Sequence, residues 1–188
     1  MEWILASASP RRKELLKQLV NTFEILPAKG EESAHGLTGA ELAETLAAQK
    51  ALEVASRPEA QKKAVLGADT IVCLDGEVLG KPKDEADARR MLAALSGREH
   101  KVFTGVCIVY FDHGAQKTLV DSDCTRVRFE TLSAEQIEAY VKTGSPMDKA
   151  GAYGIQDGGL VRSIDGSLSN VIGLPIELCK RMMSGAGI

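Results

Sequence analysis

An aspartate in the middle of an apolar run is the residue whose position most clearly requires a chemical explanation. The segment Val65–Val72 predicts a buried strand, and Asp69 stands where such a strand normally carries valine or isoleucine. Burying an unpaired carboxylate costs several kcal/mol, so Asp69 needs a metal ion, a cation or water as its partner. We favour a functional role, and a structural pair with an arginine is the main alternative.

Two lysines are candidates for the same site. Lys81 lies on a tight turn directly after this strand region, so that Asp69 and Lys81 together offer a carboxylate for a divalent cation and an ammonium group for phosphate oxygens. Lys50 lies in a predicted helix, four residues from both Leu46 and Val54, at the edge of the face that those two bury. It either extends along the edge of a core, as lysines commonly do, or points into a cleft.

The first sixteen residues predict a short buried strand, a turn of small residues and a helix. Ser7 and Ser9 offer hydroxyls and possible helix caps, and Pro10 suits a first helical turn. Arg11 and Arg12 follow at once, where the helix dipole disfavours cations. Their position indicates a strongly negative ligand nearby, such as a phosphate chain. Two solvated arginines after a capped turn are the alternative.

Two loops could contribute further groups. Glu31 and Glu32 follow the second predicted strand and could supply carboxylates, although a solvated acidic loop is at least as good an explanation. The segment 148–156 is rich in glycine and alanine, so its backbone could approach a ligand closely, and the Gln156 amide could read a base edge. We interpret the whole glycine-rich span 144–173 as a long ordered loop with a function.

Composition excludes several classes of protein. The chain has 188 residues, a net charge of −3 and eight aromatic residues, which argues against a general nucleic-acid binder. We predict one domain over residues 1–188. The four cysteines are too far apart for a zinc cluster, and we expect a cytoplasmic protein that does not enter a membrane. His35, His100 and His113 lack ligand spacing, so we interpret them as surface residues.

The periodicity of apolar residues predicts alternating strands and helices. The last two long strands flank a hairpin turn at 112–114, so the sheet should be mixed. Helices are expected after capping boxes at Thr38 with Glu41 and at Ser133 with Gln136, after Asp84, and near Pro175. The predicted strands are Trp3–Ala6, Phe23–Leu26, Val65–Leu74, Val102–Phe111, Thr118–Phe129 and Leu160–Ile164.

Seven ordered motifs resemble the Maf family of nucleoside triphosphate pyrophosphatases. Together they extend from residue 4 to about residue 178, and a set of seven in order is far more specific than any one of them. The motifs are Ser7–Leu16, Leu46–Ala51, Gly67–Thr70, Leu79–Pro82, Phe103–Gly105, Lys149–Gln156 and Ser169–Ile176.

The resemblance implies an α/β fold with an elongated mixed sheet flanked by helices, two lobes around a central cleft, and kinship with the inosine triphosphate pyrophosphatases. It also implies a homodimer that hydrolyses nucleoside triphosphates to monophosphate and pyrophosphate with Mg²⁺ or Mn²⁺. The motifs are similar to those of the branch acting on dTTP and UTP. Two departures stand out: Lys29–Glu32 replaces an element that often reads Asp-x-Asp-Glu, and Asp157 stands where that branch usually has glycine.

On this resemblance we expect water to attack the α-phosphorus. Asp69 would hold the metal and activate the water, with Glu32 completing the metal site. The other expected roles are phosphate binding by Ser7, Arg11 and Arg12, neutralisation of the leaving pyrophosphate by Lys50 and Lys81, and pyrimidine recognition by Thr70 and Gln156. A catalytically silent nucleotide-binding regulator of septum formation is the competing hypothesis.

Overall fold

A mixed sheet forms the centre of the computed structural model, which describes residues 1–30 and 33–188. The sheet order is β2-β1-β3-β5-β6-β7, and β4 pairs with β3. The β1–β2 and β1–β3 pairs are parallel and the others are antiparallel. The strands are β1 (Trp3–Leu5), β2 (Glu24–Ile25), β3 (Ala64–Leu74), β4 (Glu77–Leu79), β5 (Glu99–Asp112), β6 (Ala115–Phe129) and β7 (Val161–Asp165).

One edge of β3 is divided between two short strands. Its first residues, 64–66, pair with β1, and its last residues, 72–74, pair with β4. Residues 67–71 lie between these two pairings, while the opposite edge of β3 pairs continuously with β5. Because successive side chains of a strand point to opposite faces, this gap lets side chains from both faces of β3 reach one space.

Six α-helices cover the sheet in the described part of the chain. They are α1 (Pro10–Leu16), α2 (Gly39–Ala55), α3 (Glu85–Leu95), α4 (Ala134–Val141), α5 (Leu168–Ile172) and α6 (Ile176–Ala186). One apolar core packs α3 and α4 against the far ends of β3 and β5, and a second packs α1 and α6 against β1 and the opposite ends of those strands. These two cores are the two lobes expected from the sequence, and the gap in β3 lies between them.

Helix α2 packs unusually close to the sheet because two glycines face it. A Cβ atom at Gly67 would lie 2.6 Å from the Ala47 carbonyl oxygen, and one at Gly105 would lie 2.2 Å from the Ala43 carbonyl oxygen. Real Cβ atoms essentially never come so close to backbone atoms. The glycines therefore set the distance at which α2 crosses β3 and β5.

Most of the predicted elements are confirmed, and the hairpin falls where expected. Ser133 and Gln136 form a full capping box, and the Asp84 side chain caps α3. The capping box predicted at Thr38 is wrong: Thr38 precedes α2, but its side chain makes no capping hydrogen bond.

The glycine-rich span 144–173 is not a single loop. It contains three short 3₁₀ helices, Ser145–Asp148, Ala150–Ala152 and Ile155–Asp157, followed by β7 and α5. The low density of apolar residues concealed these short elements, since they turn over too few residues to show a period.

The interpretation of His100 as a surface residue is wrong. Strand β5 begins at Glu99, three residues before the predicted start, so His100 lies inside the sheet and is only 2% exposed. Its ring packs edge-on against Phe129 and Tyr153. His35 is exposed, and the side chain of His113 is 98% exposed, as predicted.

Candidate active site

A cleft of about 420 Å³ opens at the gap in β3. Its walls come from the turn before α1, from α2, from β3, from the turn after β4 and from residues 148–156. Eight of the nine predicted site residues line it: Ser7, Arg11, Arg12, Lys50, Asp69, Thr70, Lys81 and Gln156. The ninth, Glu32, lies outside the described residues.

Lys50 and Asp69 form an ion pair on the α2 side of the cleft. Their side chains are 17% and 13% exposed, so both are largely withdrawn from water. The ion-pair partner of Asp69 in this structure is thus a lysine rather than an arginine, and Lys50 points into the cleft. Because each charge compensates the other, a carboxylate can be held in mid-strand without the full cost of an unpaired buried charge.

Arg12 spans the opposite wall of the cleft. Its Nε atom donates to the Gly173 carbonyl oxygen at 2.9 Å, Nη1 donates to Ser7 Oγ at 3.3 Å, and Nη2 donates to Thr70 Oγ1 at 3.2 Å. The predicted cap is confirmed, since Ser9 Oγ accepts a hydrogen bond from the Arg12 N–H at 3.4 Å. The guanidinium is therefore fixed among three elements before any ligand binds.

Arg11 lies at the entrance of the cleft. Its Nη1 atom is 3.4 Å from Asp148 Oδ2, so the pair joins α1 to the first of the 3₁₀ helices across the opening. Lys81 follows β4 on an exposed turn, and the Gly80 carbonyl oxygen beside it accepts a hydrogen bond from the Gly151 N–H at 3.0 Å. This bond ties the lysine turn to the glycine-rich segment.

A buried chain of hydroxyls lies behind Thr70. Thr70 and Thr104 are direct cross-strand partners on β3 and β5, and their Oγ1 atoms are 3.0 Å apart. Thr104 is fully buried and donates to the Asn170 carbonyl oxygen at 2.8 Å. The chain connects the cleft wall to α5.

Sequence reasoning missed two residues that line the far wall. Lys149 lines the cleft, and its ammonium group contacts Asp148 Oδ1 at 2.8 Å and Ser145 Oγ at 2.9 Å. Tyr153 also lines the cleft and shares a 2.7 Å hydrogen bond with His100 Nε2, and burial lowers the pKa of His100 to about 4. The membership of Lys149 and Tyr153 in the motif Lys149–Gln156 was the available signal.

Asp157, the second departure from the family pattern, does not line the cleft. Its Oδ2 atom accepts hydrogen bonds from Tyr140 Oη at 2.5 Å and from Ser145 Oγ at 2.7 Å. Partial burial opposes ionisation, but these two hydrogen bonds outweigh it and lower the pKa of Asp157. The carboxylate therefore anchors the 3₁₀ helix that carries Gln156 to the end of α4.

Cationic side chains outnumber carboxylates in the described lining of the cleft, although the chain as a whole is acidic. Within residues 1–30 and 33–188, the lining contains five cationic side chains, Arg11, Arg12, Lys50, Lys81 and Lys149, against two carboxylates, Asp69 and Asp148. No group of three or more His, Cys, Asp and Glu side chains that could hold a metal ion occurs in residues 1–30 and 33–188. Fold and cleft together define an α/β protein whose site suits a small polyanionic ligand such as a nucleotide.

The chain belongs to the Maf family. The family model for "Maf-like protein" matches residues 2–186. A dTTP/UTP pyrophosphatase of Symbiobacterium thermophilum is 52% identical over 98% of this chain and 93% of its own. The dTTP/UTP pyrophosphatase of Thermococcus gammatolerans is 49% identical over 93% and 91% of the two chains. That of Ruminiclostridium cellulolyticum is 46% identical over 96% and 93%.

The fold also occurs in a distant solved structure. The Ham1 protein of Staphylococcus aureus superposes with a TM-score of 0.56 at 17% identity, over 99% of this chain and 100% of that one. The likeness confirms the fold class expected from the sequence. Within residues 1–30 and 33–188, every helix is too short or too polar to cross a membrane.

Proposed function

We propose that this chain hydrolyses nucleoside triphosphates, with dTTP and UTP as its substrates, to the nucleoside monophosphate and pyrophosphate. The observation that carries the proposal is the Asp69 carboxylate, held by Lys50 inside a cleft whose described lining has more cationic than anionic side chains. A carboxylate among cations is the arrangement that phosphoryl transfer requires, since catalysis there depends on positioning and charge stabilisation. The names of the relatives supply the choice of dTTP and UTP.

Asp69 is the group that orients water and accepts its proton. The water oxygen attacks the α-phosphorus, the bond from that phosphorus to the bridging oxygen breaks, and pyrophosphate leaves. Arg12, already fixed by Ser7 and Gly173, binds phosphate oxygens without having to be ordered first. Lys50 and Lys81 offset the negative charge that develops on the pyrophosphate.

We propose Mg²⁺ or Mn²⁺ as the cofactor. Mg²⁺ is usually bound through one or two carboxylates together with substrate phosphates and water, and the single carboxylate that the structure shows deep in the cleft fits that mode. Asp69 would hold the ion, and Glu32 is the second expected ligand. When bound, the metal would neutralise charge on the phosphate oxygens.

The test is the replacement of Asp69 by asparagine, which keeps the shape and removes the charge. We expect kcat for UTP to fall by about 10²- to 10³-fold. Asp165→Asn, at an exposed carboxylate paired with Arg126, is the matched control and should keep full activity.

The assay should measure pyrophosphate and orthophosphate separately, with and without Mg²⁺ or Mn²⁺, over a panel of nucleotides. Wild-type activity in the folded Asp69→Asn variant would refute the assignment of the base. Orthophosphate as the first product would refute attack at the α-phosphorus. Tight UTP binding by the wild-type protein without any turnover would favour the regulatory function instead.

We also propose a cytoplasmic homodimer. The outer edge of β6 over residues 115–124 has no strand partner in the described part of the chain, and an open edge of this length can pair with another copy. All four cysteines are free thiols, as a reducing compartment requires. Light scattering after size exclusion should give twice the mass of the chain, and a monomer at all micromolar concentrations would contradict the dimer.

A further inference from the structure

From the buried hydroxyl chain we infer that Thr104 determines which base the site accepts, because it fixes the Thr70 hydroxyl as a hydrogen-bond acceptor toward the cleft. The inference rests on the proposed function and extends it to the discrimination between uracil or thymine and cytosine. Thr104 does not line the cleft, so it acts as a positioning residue through Thr70.

The direction of every proton in this chain follows from its end. The Asn170 carbonyl oxygen can only accept, so the Thr104 hydroxyl donates its single hydrogen there, over 2.8 Å. Thr104 Oγ1 must then accept from Thr70, over 3.0 Å. The Thr70 hydrogen is thereby used, and Arg12 Nη2 donates to the same Thr70 oxygen at 3.2 Å.

Thr70 therefore offers a ligand only a lone pair. A hydroxyl normally rotates and can donate or accept as its partner requires. Here rotation would break the hydrogen bond that Thr70 donates to the fully buried Thr104 hydroxyl, where no water can replace it, and that loss is costly. The Thr70 hydroxyl therefore accepts a hydrogen bond from a ligand and does not donate one.

Gln156 cannot provide this discrimination alone. Its side chain is exposed, and no hydrogen bond within residues 1–30 and 33–188 fixes its amide. An amide that can turn over presents either its oxygen or its nitrogen, so it satisfies the edge of uracil and that of cytosine equally well. The Thr70 hydroxyl, whose hydrogen-bonding role is fixed, must therefore distinguish uracil from cytosine.

Uracil and cytosine differ at N3, the atom that would contact a fixed acceptor such as the Thr70 hydroxyl. Uracil and thymine carry a hydrogen on N3 and can donate to Thr70, whereas N3 of cytosine is an acceptor and would face the Thr70 lone pair unpaired. UTP and CTP have nearly the same size, so a difference in their kcat/KM values reports hydrogen-bond polarity rather than the size of the base.

The experiment compares kcat/KM for UTP and CTP in wild type, Thr104→Val and Thr104→Ser. Valine keeps the volume but removes the acceptor for the Thr70 proton, so Thr70 can rotate and donate to cytosine. We expect the UTP-to-CTP ratio to fall roughly tenfold, the value of one hydrogen bond. Serine keeps the hydroxyl and should restore the wild-type ratio.

A double-mutant cycle tests whether Thr104 acts through Thr70. Thr70→Val should lower the ratio by itself, and adding Thr104→Val should lower it no further. Additive losses, or a Thr104→Val variant that slows both substrates equally, would overturn the inference. Thr131→Val is the control, because Thr131 is an exposed threonine in the segment after β6 and takes no part in the chain from Thr70 through Thr104 to Asn170; it should leave the ratio unchanged.

A measurement on the unmutated protein covers the case in which Thr104→Val does not fold. 4-Thio-UTP keeps the N3 hydrogen and weakens only the acceptor at position 4, so it should be used like UTP, while CTP is rejected. Rejection of both analogues would show that position 4 is read and would overturn the inference. If UTP is not hydrolysed at all, the proposed function fails, and the dissociation constants of UTP and CTP then test the inference alone.

Discussion

Gly67→Ala tests whether the close packing of α2 positions the Lys50–Asp69 pair. The added Cβ atom would lie 2.6 Å from the Ala47 carbonyl oxygen and 2.8 Å from the Ala51 N–H nitrogen. Both are backbone atoms of α2, and no side-chain rotation relieves the overlap. The helix must move away from β3 by about 0.8 Å to reach the 3.4 Å of ordinary contact.

The expected cost has two parts. Overpacking of this kind lowers the free energy of unfolding by about 1–3 kcal/mol. Lys50 lies on the displaced stretch of α2, between the two clashing residues, and a shift near 1 Å in a catalytic group can cost up to about 10²-fold in rate. We therefore expect a loss of kcat/KM for UTP in protein that is still folded.

Urea denaturation and initial rates of pyrophosphate release should be measured on the same preparations. Gly185→Ala in α6 is the control, because its Cβ atom meets nothing within 4 Å; it should stabilise the protein by about 0.5–1 kcal/mol and leave the rate unchanged. If Gly67→Ala kept the free energy of unfolding within about 0.5 kcal/mol and the rate within about twofold, the close approach would not position Lys50.

Three further predictions concern groups outside the catalytic pair. The pKa of His100 is about 4 in the folded protein and about 6.5 in the unfolded chain, so between these pH values only the unfolded chain binds the proton. Lowering the pH from 7 to 5 should therefore reduce the free energy of unfolding by about 2 kcal/mol. Urea titrations should show that the His100→Gln variant does not lose this stability. Tyr140→Phe removes the hydroxyl that donates to Asp157 and accepts from the Gly154 N–H, so KM for UTP should rise severalfold with kcat nearly unchanged; an unchanged KM would show that this anchor does not position Gln156. A thiol reagent should modify Cys124 in the native protein and the three buried cysteines only in denaturant, and labelling of a second thiol in the native protein would contradict the buried assignments.

The order of elements could be predicted because it depends on local patterns. Apolar runs located the long strands, and the Ser133 capping box located the start of α4. The Thr38 box failed because a capping hydrogen bond depends on side-chain geometry as well as residue type. His100 was misplaced because a polar residue at a strand end gives no sign of the aromatic residues that will cover it.

Residue chemistry alone made Asp69 and Arg12 site candidates, since a carboxylate in a buried strand and an arginine in a first helical turn both need explanation. The partners of these residues could not be predicted. Lys50 meets Asp69 because two glycines let α2 approach the sheet, and Thr70 meets Thr104 through the register of β3 and β5. Both contacts join residues distant in sequence, and no local pattern specifies them.

By itself, then, the sequence determined which groups could form a site, several cationic side chains and the Asp69 carboxylate, and the family to which the chain belongs. Only the tertiary structure decided that both faces of β3 reach one cleft, because that depends on β1 and β4 each covering part of one strand edge. It also decided the direction in which the Thr70 hydroxyl donates. The Asn170 carbonyl oxygen, a hundred residues away, accepts the Thr104 hydrogen, and Thr70 must then donate to Thr104.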